Sequence, residues 1–216
     1  MDTITLDNLI MKFDQEILFK ADNISLINNE IYCFIGKNGT GKSTFLRLLT
    51  GLLKQTEGTI KVFGEIMYQP QKPKLFNLSV IKNILIDLNK GQNYASACNM
   101  LKRLNIENLE HKKANILSIG QIQKIALIRS LLHKKDIVLL DEPLSSCDEH
   151  SIDEMVNLIK EKCQNSTIIV ATHSIKIAKK LSNNAILIDH NNLFLTSTNN
   201  AIEKYCTSII TKLGIL

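Results

Sequence analysis

The chain has 216 residues, 44% hydrophobic and 22% charged, which suits one soluble globular domain with a substantial core and excludes a disordered or fibrous chain. The net charge of +5 comes without a dense lysine–arginine block, so nucleic acid is not an expected partner, and no apolar run approaches the length of a membrane span. The cysteines (Cys33, Cys98, Cys147, Cys163 and Cys206) are odd in number and lack C-x-x-C spacing, which argues against a disulfide framework or zinc site and fits a reducing cytosol. The first residues carry acidic side chains and no basic segment before an apolar stretch, so they do not read as a signal peptide.

The stretch up to about Leu26 alternates polar and apolar residues before the turn residues Asp22-Asn23 and beyond them, which predicts antiparallel strands. Ile31-Tyr32-Cys33-Phe34-Ile35 is a short apolar run that stops at Gly36, the pattern of a buried strand, and Phe45-Leu46-Arg47-Leu48-Leu49 begins a helix. Gly51, Gly58 and Gly64 punctuate further short strands, among them Thr59-Ile60-Lys61-Val62-Phe63. Over residues 78–109 the period changes. Val80, Ile81, Ile84, Leu85 and Leu88 recur at helical spacing, as do Met100, Leu101, Leu104 and Ile106. A helix over about 121–132, a strand over 137–140, a helix over about 148–163, a strand over 167–171 and a helix over about 175–181 then alternate. A strand over 185–189 turns through His190-Asn191-Asn192 into Leu193-Phe194-Leu195, and a last helix is expected over 201–213. Strands that alternate with helices predict a largely parallel sheet covered on both faces.

Residues 36–44 read Gly-Lys-Asn-Gly-Thr-Gly-Lys-Ser-Thr, and they lie between the buried strand and the helix. G-x-x-x-x-G-K-S in that context is a phosphate-binding loop. Gly36, Gly39 and Gly41 let the backbone turn and bring its N–H groups, with those of Lys37, Asn38, Thr40 and Thr44, toward phosphate oxygens. The helix start adds free N–H donors and a positive dipole end. Lys42 is placed to reach the β- and γ-phosphates and Ser43 to ligate Mg²⁺, so the cofactors expected are ATP and Mg²⁺. The fold class is therefore α/β: a P-loop NTPase with a mostly parallel sheet, an N-terminal antiparallel β subdomain and an inserted helical subdomain. We take residues 1–216 as a single domain, with 1–77 and 133–216 as the core and 78–132 as the helical part.

Ile137-Val138-Leu139-Leu140 is a buried strand that stops at two carboxylates, Asp141 and Glu142, before Pro143. A parallel sheet puts both at its carboxyl edge, where ligands bind. Mg²⁺ needs hard oxygen ligands and keeps waters, which suits Asp141; a second carboxylate, Glu142, can orient or deprotonate an attacking water. His173 ends the apolar strand Ile168-Ile169-Val170-Ala171-Thr172 and is expected on the same edge, as a contact to the γ-phosphate.

In this order the segments resemble the ATP-binding subunit of an ABC transporter along nearly the whole chain. The phosphate loop and Leu139-Leu140-Asp141-Glu142-Pro143 match the Walker A and Walker B motifs. The segment from Tyr68 to Phe76 is similar to the family's Q-loop with Gln71 as its glutamine, which implies a role in catalysis and on the metal. Leu117-Ser118-Ile119-Gly120-Gln121 resembles the signature motif L-S-G-G-Q, Ser145-Ser146-Cys147-Asp148 the D-loop, and His173 the switch histidine. Phe13 falls where the family keeps an aromatic that stacks on adenine. The resemblance implies that two such subunits, a homodimer, close head to tail, and that Ser118, Gly120 and Gln121 meet the partner's nucleotide. It also implies a separate transmembrane permease and a place on the inner face of the cytoplasmic membrane. Nucleotide-gated regulation with little turnover, and a soluble ATPase acting on nucleic acid, are the alternatives.

The sequence departs from that pattern at two positions in and beside the signature. Ile119 replaces its first glycine, and a β-branched residue resists positive φ, so strain and reduced or tuned turnover are expected there. Lys124 stands where the family often has arginine. The chain length leaves no room for a regulatory domain of ordinary size, and no long coiled coil interrupts it.

Overall fold

The computed structural model describes residues 2–204. Strands β1 (Asp2–Phe13), β2 (Glu16–Ala21), β3 (Ile24–Ile27) and β5 (Glu57–Val62) form the antiparallel part, with β2, β3 and β5 all pairing β1. Strands β6 (Ile66–Gln69), β7 (Ile137–Asp141), β8 (Thr167–Thr172), β4 (Ile31–Ile35) and β9 (Asn184–Asp189) run parallel in that spatial order. Strand β10 (Asn192–Ser197) pairs antiparallel with β9 and makes one parallel pair with β2, which joins both parts into a single ten-stranded sheet.

Every residue of β4, β7 and β8 is buried, as parallel strands covered on both faces must be. Alternate residues serve two cores. Tyr32, Phe34, Leu139 and Ile169 pack with helix α1 (Lys42–Leu49) and with Ile4, Leu6 and Leu9 of β1. There Phe45 is the centre, set edge-on to Phe34 at 5.3 Å and to Phe19 at 6.1 Å between ring centres. Cys33, Ile35, Val138, Leu140 and Val170 face the other way, toward the remaining helices.

Those helices are α2 (Val80–Ile84), α3 (Lys90–Arg103), α4 (Ile119–Leu132), α5 (Glu149–Cys163) and α6 (Ile175–Leu181). Helix α4 is apolar around most of its circumference, from Ile125 to Leu132, because it is enclosed by α2, α3, α5 and β6. Short 3₁₀ turns at Glu107–Leu109 and Ala114–Ile116 lead into it. Arg103 ties α3 to α5, with a two-pronged bond to Glu161 at 2.7 Å on each prong and a further contact to Glu154.

Several strand ends differ by a residue or two from those read off the sequence, and three helix starts differ as well. Helix α1 starts at Lys42 rather than Phe45, directly behind Gly41. Helix α4 starts at Ile119 rather than near Gln121, because Ser118 and Gln121 close a capping box. Residues 198–204 are helical, three residues earlier than expected, and the rest of the expected 201–213 helix, like Cys206, lies outside the described residues.

Candidate active site

Four parallel strands deliver the chemistry to one edge. Strand β4 ends at Ile35 and releases the phosphate loop; β6 leads to Gln71; β7 ends in Asp141 and Glu142; β8 leads to His173. Their shared direction is the reason that residues a hundred positions apart meet. The first three surround a cavity of about 560 Å³, bordered by Asn38, Gly39, Gly41, Lys42, Ser43 and Thr44 and by Gln71, Asp141 and Glu142, whereas His173 does not border it and touches it only through Glu142. Phe13 and Leu18 border the cavity as well, and Phe13 is half exposed. Gly36, Lys37 and Thr40 border a second cavity across the loop, together with Asp189 and His190.

Gly41 holds the loop's shape. Its φ of +100° is one that side chains rarely adopt, and a Cβ there would press on Leu18 and Phe19 at 3.1 Å. No side chain caps the N–H groups of the helix it starts, so they stay available at the cavity.

Three charges are buried together. Lys42 is 6% exposed, Asp141 2% and Glu142 4%. Lys42 Nζ donates to the carbonyls of Gly36 at 2.7 Å and Lys37 at 3.0 Å and lies 3.8 Å from Glu142 Oε1. Burial lowers the Lys42 pKa, and the charges of Glu142 and Asp141 oppose that shift. Burial raises the Asp141 pKa, and the Ser43 hydroxyl and Lys42 ammonium pull it back. Glu142 has a left-handed backbone, with φ of +49°, at the turn that follows β7, and its N–H is anchored to the Ala171 carbonyl at 3.0 Å. Glu142 Oε1 lies 2.8 Å from His173 Nδ1.

The signature segment is elsewhere. Ser118, Gly120 and Gln121 do not border the cavity of their own chain. Ser118 Oγ accepts from the Gln121 N–H at 3.3 Å, and Gln121 Oε1 accepts from the Ser118 N–H at 3.0 Å, which leaves the serine proton free to donate outward. The strain expected at Ile119 is absent. Ile119 is the first helical residue of α4, its φ is not positive, and its side chain is 70% exposed.

The D-loop packs against that helix start. A Cβ on Gly120 would stand 2.7 Å from the Ser146 carbonyl oxygen, so only glycine admits this approach. Asp148 caps α5 by accepting from Ser151 and pairs with Lys124 at 3.0 Å; those bonds hold its carboxyl well below the usual range, Ser151 contributing most. The partner of Lys124 was invisible in the sequence because 24 positions separate it from Asp148. Burial pushes the Cys147 thiol up to about 11, which makes it unreactive.

A phosphate loop between strand and helix, with carboxylates at the end of β7 two places along the sheet, defines the class of P-loop NTPases. The particular family follows from comparison with known proteins. Residues 19–145 match the ABC transporter family, and the chain belongs to it as an ATP-binding subunit. It is 34% identical over 207 residues to the ergothioneine transport ATP-binding protein EgtV of Helicobacter pylori (strain G27), covering 87% of this chain and 97% of that one. It is 35% identical over 210 residues to the zinc import ATP-binding protein ZnuC of Rickettsia bellii (strain RML369-C), covering 92% and 88%. A solved structure described as a metal-chelate type ABC transporter in an inward-facing conformation superposes with a TM-score of 0.77 at 28% identity, over 93% of this chain and 85% of that one.

Proposed function

We propose that this chain hydrolyses ATP between two head-to-tail copies of itself and passes their closure to a separate permease, from the inner face of the cytoplasmic membrane. The observation that carries the reading is the division of the site: the buried charges are gathered at one sheet edge, while the signature residues lie outside the cavity there. A site so divided needs a second copy to complete it. No helix among the described residues is long and apolar enough to cross a membrane, so the permease is a different chain or segment.

The donors present fit ATP and Mg²⁺. Hard oxygens from Ser43, Asp141 and Gln71 would hold the metal, while Lys42 and the uncapped start of α1 would hold phosphate oxygens. Bound there, Mg²⁺ would offset the charge of the terminal phosphates. Lys42 would exchange its two main-chain carbonyls for phosphate. Glu142 would take the proton of the attacking water, and His173 would hold that carboxylate in place through Oε1. Ser118 of the partner would donate its free hydroxyl proton to the γ-phosphate. The helical backbone at Ile119 removes the strain that favoured a subunit with little turnover.

The cargoes named for the two relatives, ergothioneine and zinc, are an organic molecule and a metal ion, although both proteins are about equally similar to this chain. Cargo therefore follows the permease. The test is Glu142→Gln, with phosphate release and ATP-driven association measured together. Turnover is expected to fall at least ~100-fold with ATP binding kept and the dimer accumulating; retained turnover would refute the assignment of Glu142.

A further inference from the structure

Between the end of β6 and the buried side of α4 runs a chain of amides that phosphate chemistry does not use. Gln69 and Gln123 are each 2% exposed, and Ser130 1%. Gln69 Nε2 donates to Gln123 Oε1 at 3.1 Å, and Gln123 Nε2 donates to the main-chain carbonyl of Gln71 at 2.9 Å. Ser130 Oγ donates to the Ala126 carbonyl at 2.9 Å and lies 3.4 Å from Gln69 Oε1. Farther along α4, Arg129 Nη2 reaches the Lys74 carbonyl at 3.4 Å. Helix α4 thus holds the segment after β6 by two of its carbonyls.

Buried amides are costly unless paired, and a half-paired set is worse than an apolar one. The following residues of α4, Ile125, Ala126 and Leu127, are fully buried and apolar, so leucines at 69 and 123 would suit stability alone. Unlike an apolar contact, the amide pair has direction: it fixes one backbone carbonyl to one helix.

We propose that Gln69 and Gln123 are positioning residues that latch the Gln71 segment to α4, so that it moves as one body with the helix start that presents Ser118. The latch rests on the composite-site reading given above. Through it, a contact made by the Gln71 side chain at one nucleotide shifts the helix that meets the other. Gln71 keeps its side chain free for this because only its carbonyl is tethered.

Gln69→Leu and Gln123→Leu, alone and combined, test it. Each single change strands the other amide and lowers thermal stability, whereas the double change leaves no buried side-chain amide unpaired, frees only the carbonyl of the exposed Gln71, and restores it. Stability is thereby separated from positioning. In the nucleotide-free protein, trypsin cleavage after Lys74 is expected to quicken at least about tenfold in the double variant, as the segment loses its tether. An unchanged cleavage rate with stability restored overturns the latch. Combined with Glu142→Gln, the double variant is expected to bind Mg-ATP as its parent does yet need at least about tenfold more ATP to dimerise. Dimerisation at the parental ATP concentration also overturns it. If Glu142→Gln alone fails to dimerise with ATP, the composite-site reading falls, and the cleavage rate by itself decides the latch.

Discussion

The phosphate-loop edge and the signature end are two halves of a proposed site, and they are built in opposite ways. At the first, Lys42, Asp141 and Glu142 are buried together, with Lys42 Nζ 3.8 Å from Glu142 Oε1 and Glu142 in a left-handed backbone. At the second, Ser118 and Ile119 are exposed, carry no charge and sit in an unstrained capping box. One half is held under electrostatic and conformational load that its ligand would relieve. The other is complete in itself and only has to be presented. A reacting centre needs charges out of water, whereas a surface that must engage and release gains from being neutral and preformed.

The sharpest way to break this contrast is Lys42→Ala. Removing the buried ammonium leaves Asp141 and Glu142 buried without it, so both ATP affinity and folding stability should drop, the latter by about 3 kcal/mol in urea unfolding. A variant with normal stability would show that the loaded half is not loaded.

Asp141→Asn probes the same load in the other direction. Burial raises this carboxyl's pKa, so the native state holds the proton more tightly than the unfolded chain does. That contribution to stability is present below the ordinary carboxylate range and is lost as pH rises through the raised value. The variant is therefore expected to melt at a higher temperature than the parent at pH 7 without nucleotide. The difference should vanish in acid, and Mg-dependent ATP binding should be lost throughout.

At the signature end smaller effects are expected. Ser118→Ala removes the cap of α4 and should cost about 1 kcal/mol of stability by thermal melting. ATP binding to one subunit should stay unchanged while ATP-driven association weakens. Smallest is Ile119→Gly. Because Ile119 already has helical geometry, restoring the glycine should leave steady-state phosphate release within about twofold and cost up to about 1 kcal/mol of helix stability. A large rise in turnover would mean that the exposed isoleucine obstructs closure.

The legible parts of this molecule are those where cause and effect lie close together in the chain. The phosphate loop occupies nine consecutive residues, 36–44, and apolar runs ending in Asp141-Glu142 or His173 declare both their strands and their exits. The start of α4 was also written locally, as Ser118-x-x-Gln121, a capping box that begins the helix at Ile119, two residues ahead of the start that apolar periodicity suggests. Pairings made only by the fold were hidden: Lys124 with Asp148, Arg103 with Glu154 and Glu161, and Gln69 with Gln123. The sequence carried one faint signal for the last of these, a glutamine at 123 two residues ahead of the apolar run Ile125-Ala126-Leu127-Ile128. The family resemblance led to the strain expected at Ile119, and local geometry removed it.

Gly120 has a consequence for how relatives of this chain are compared. Its missing side chain is required by the Ser146 carbonyl alone, whatever its N–H does for a nucleotide. A lineage that abandoned ATP hydrolysis but kept this packing would still keep the glycine. Its presence in an alignment therefore testifies to architecture, and activity has to be inferred from residues such as Glu142 whose geometry the fold alone does not demand.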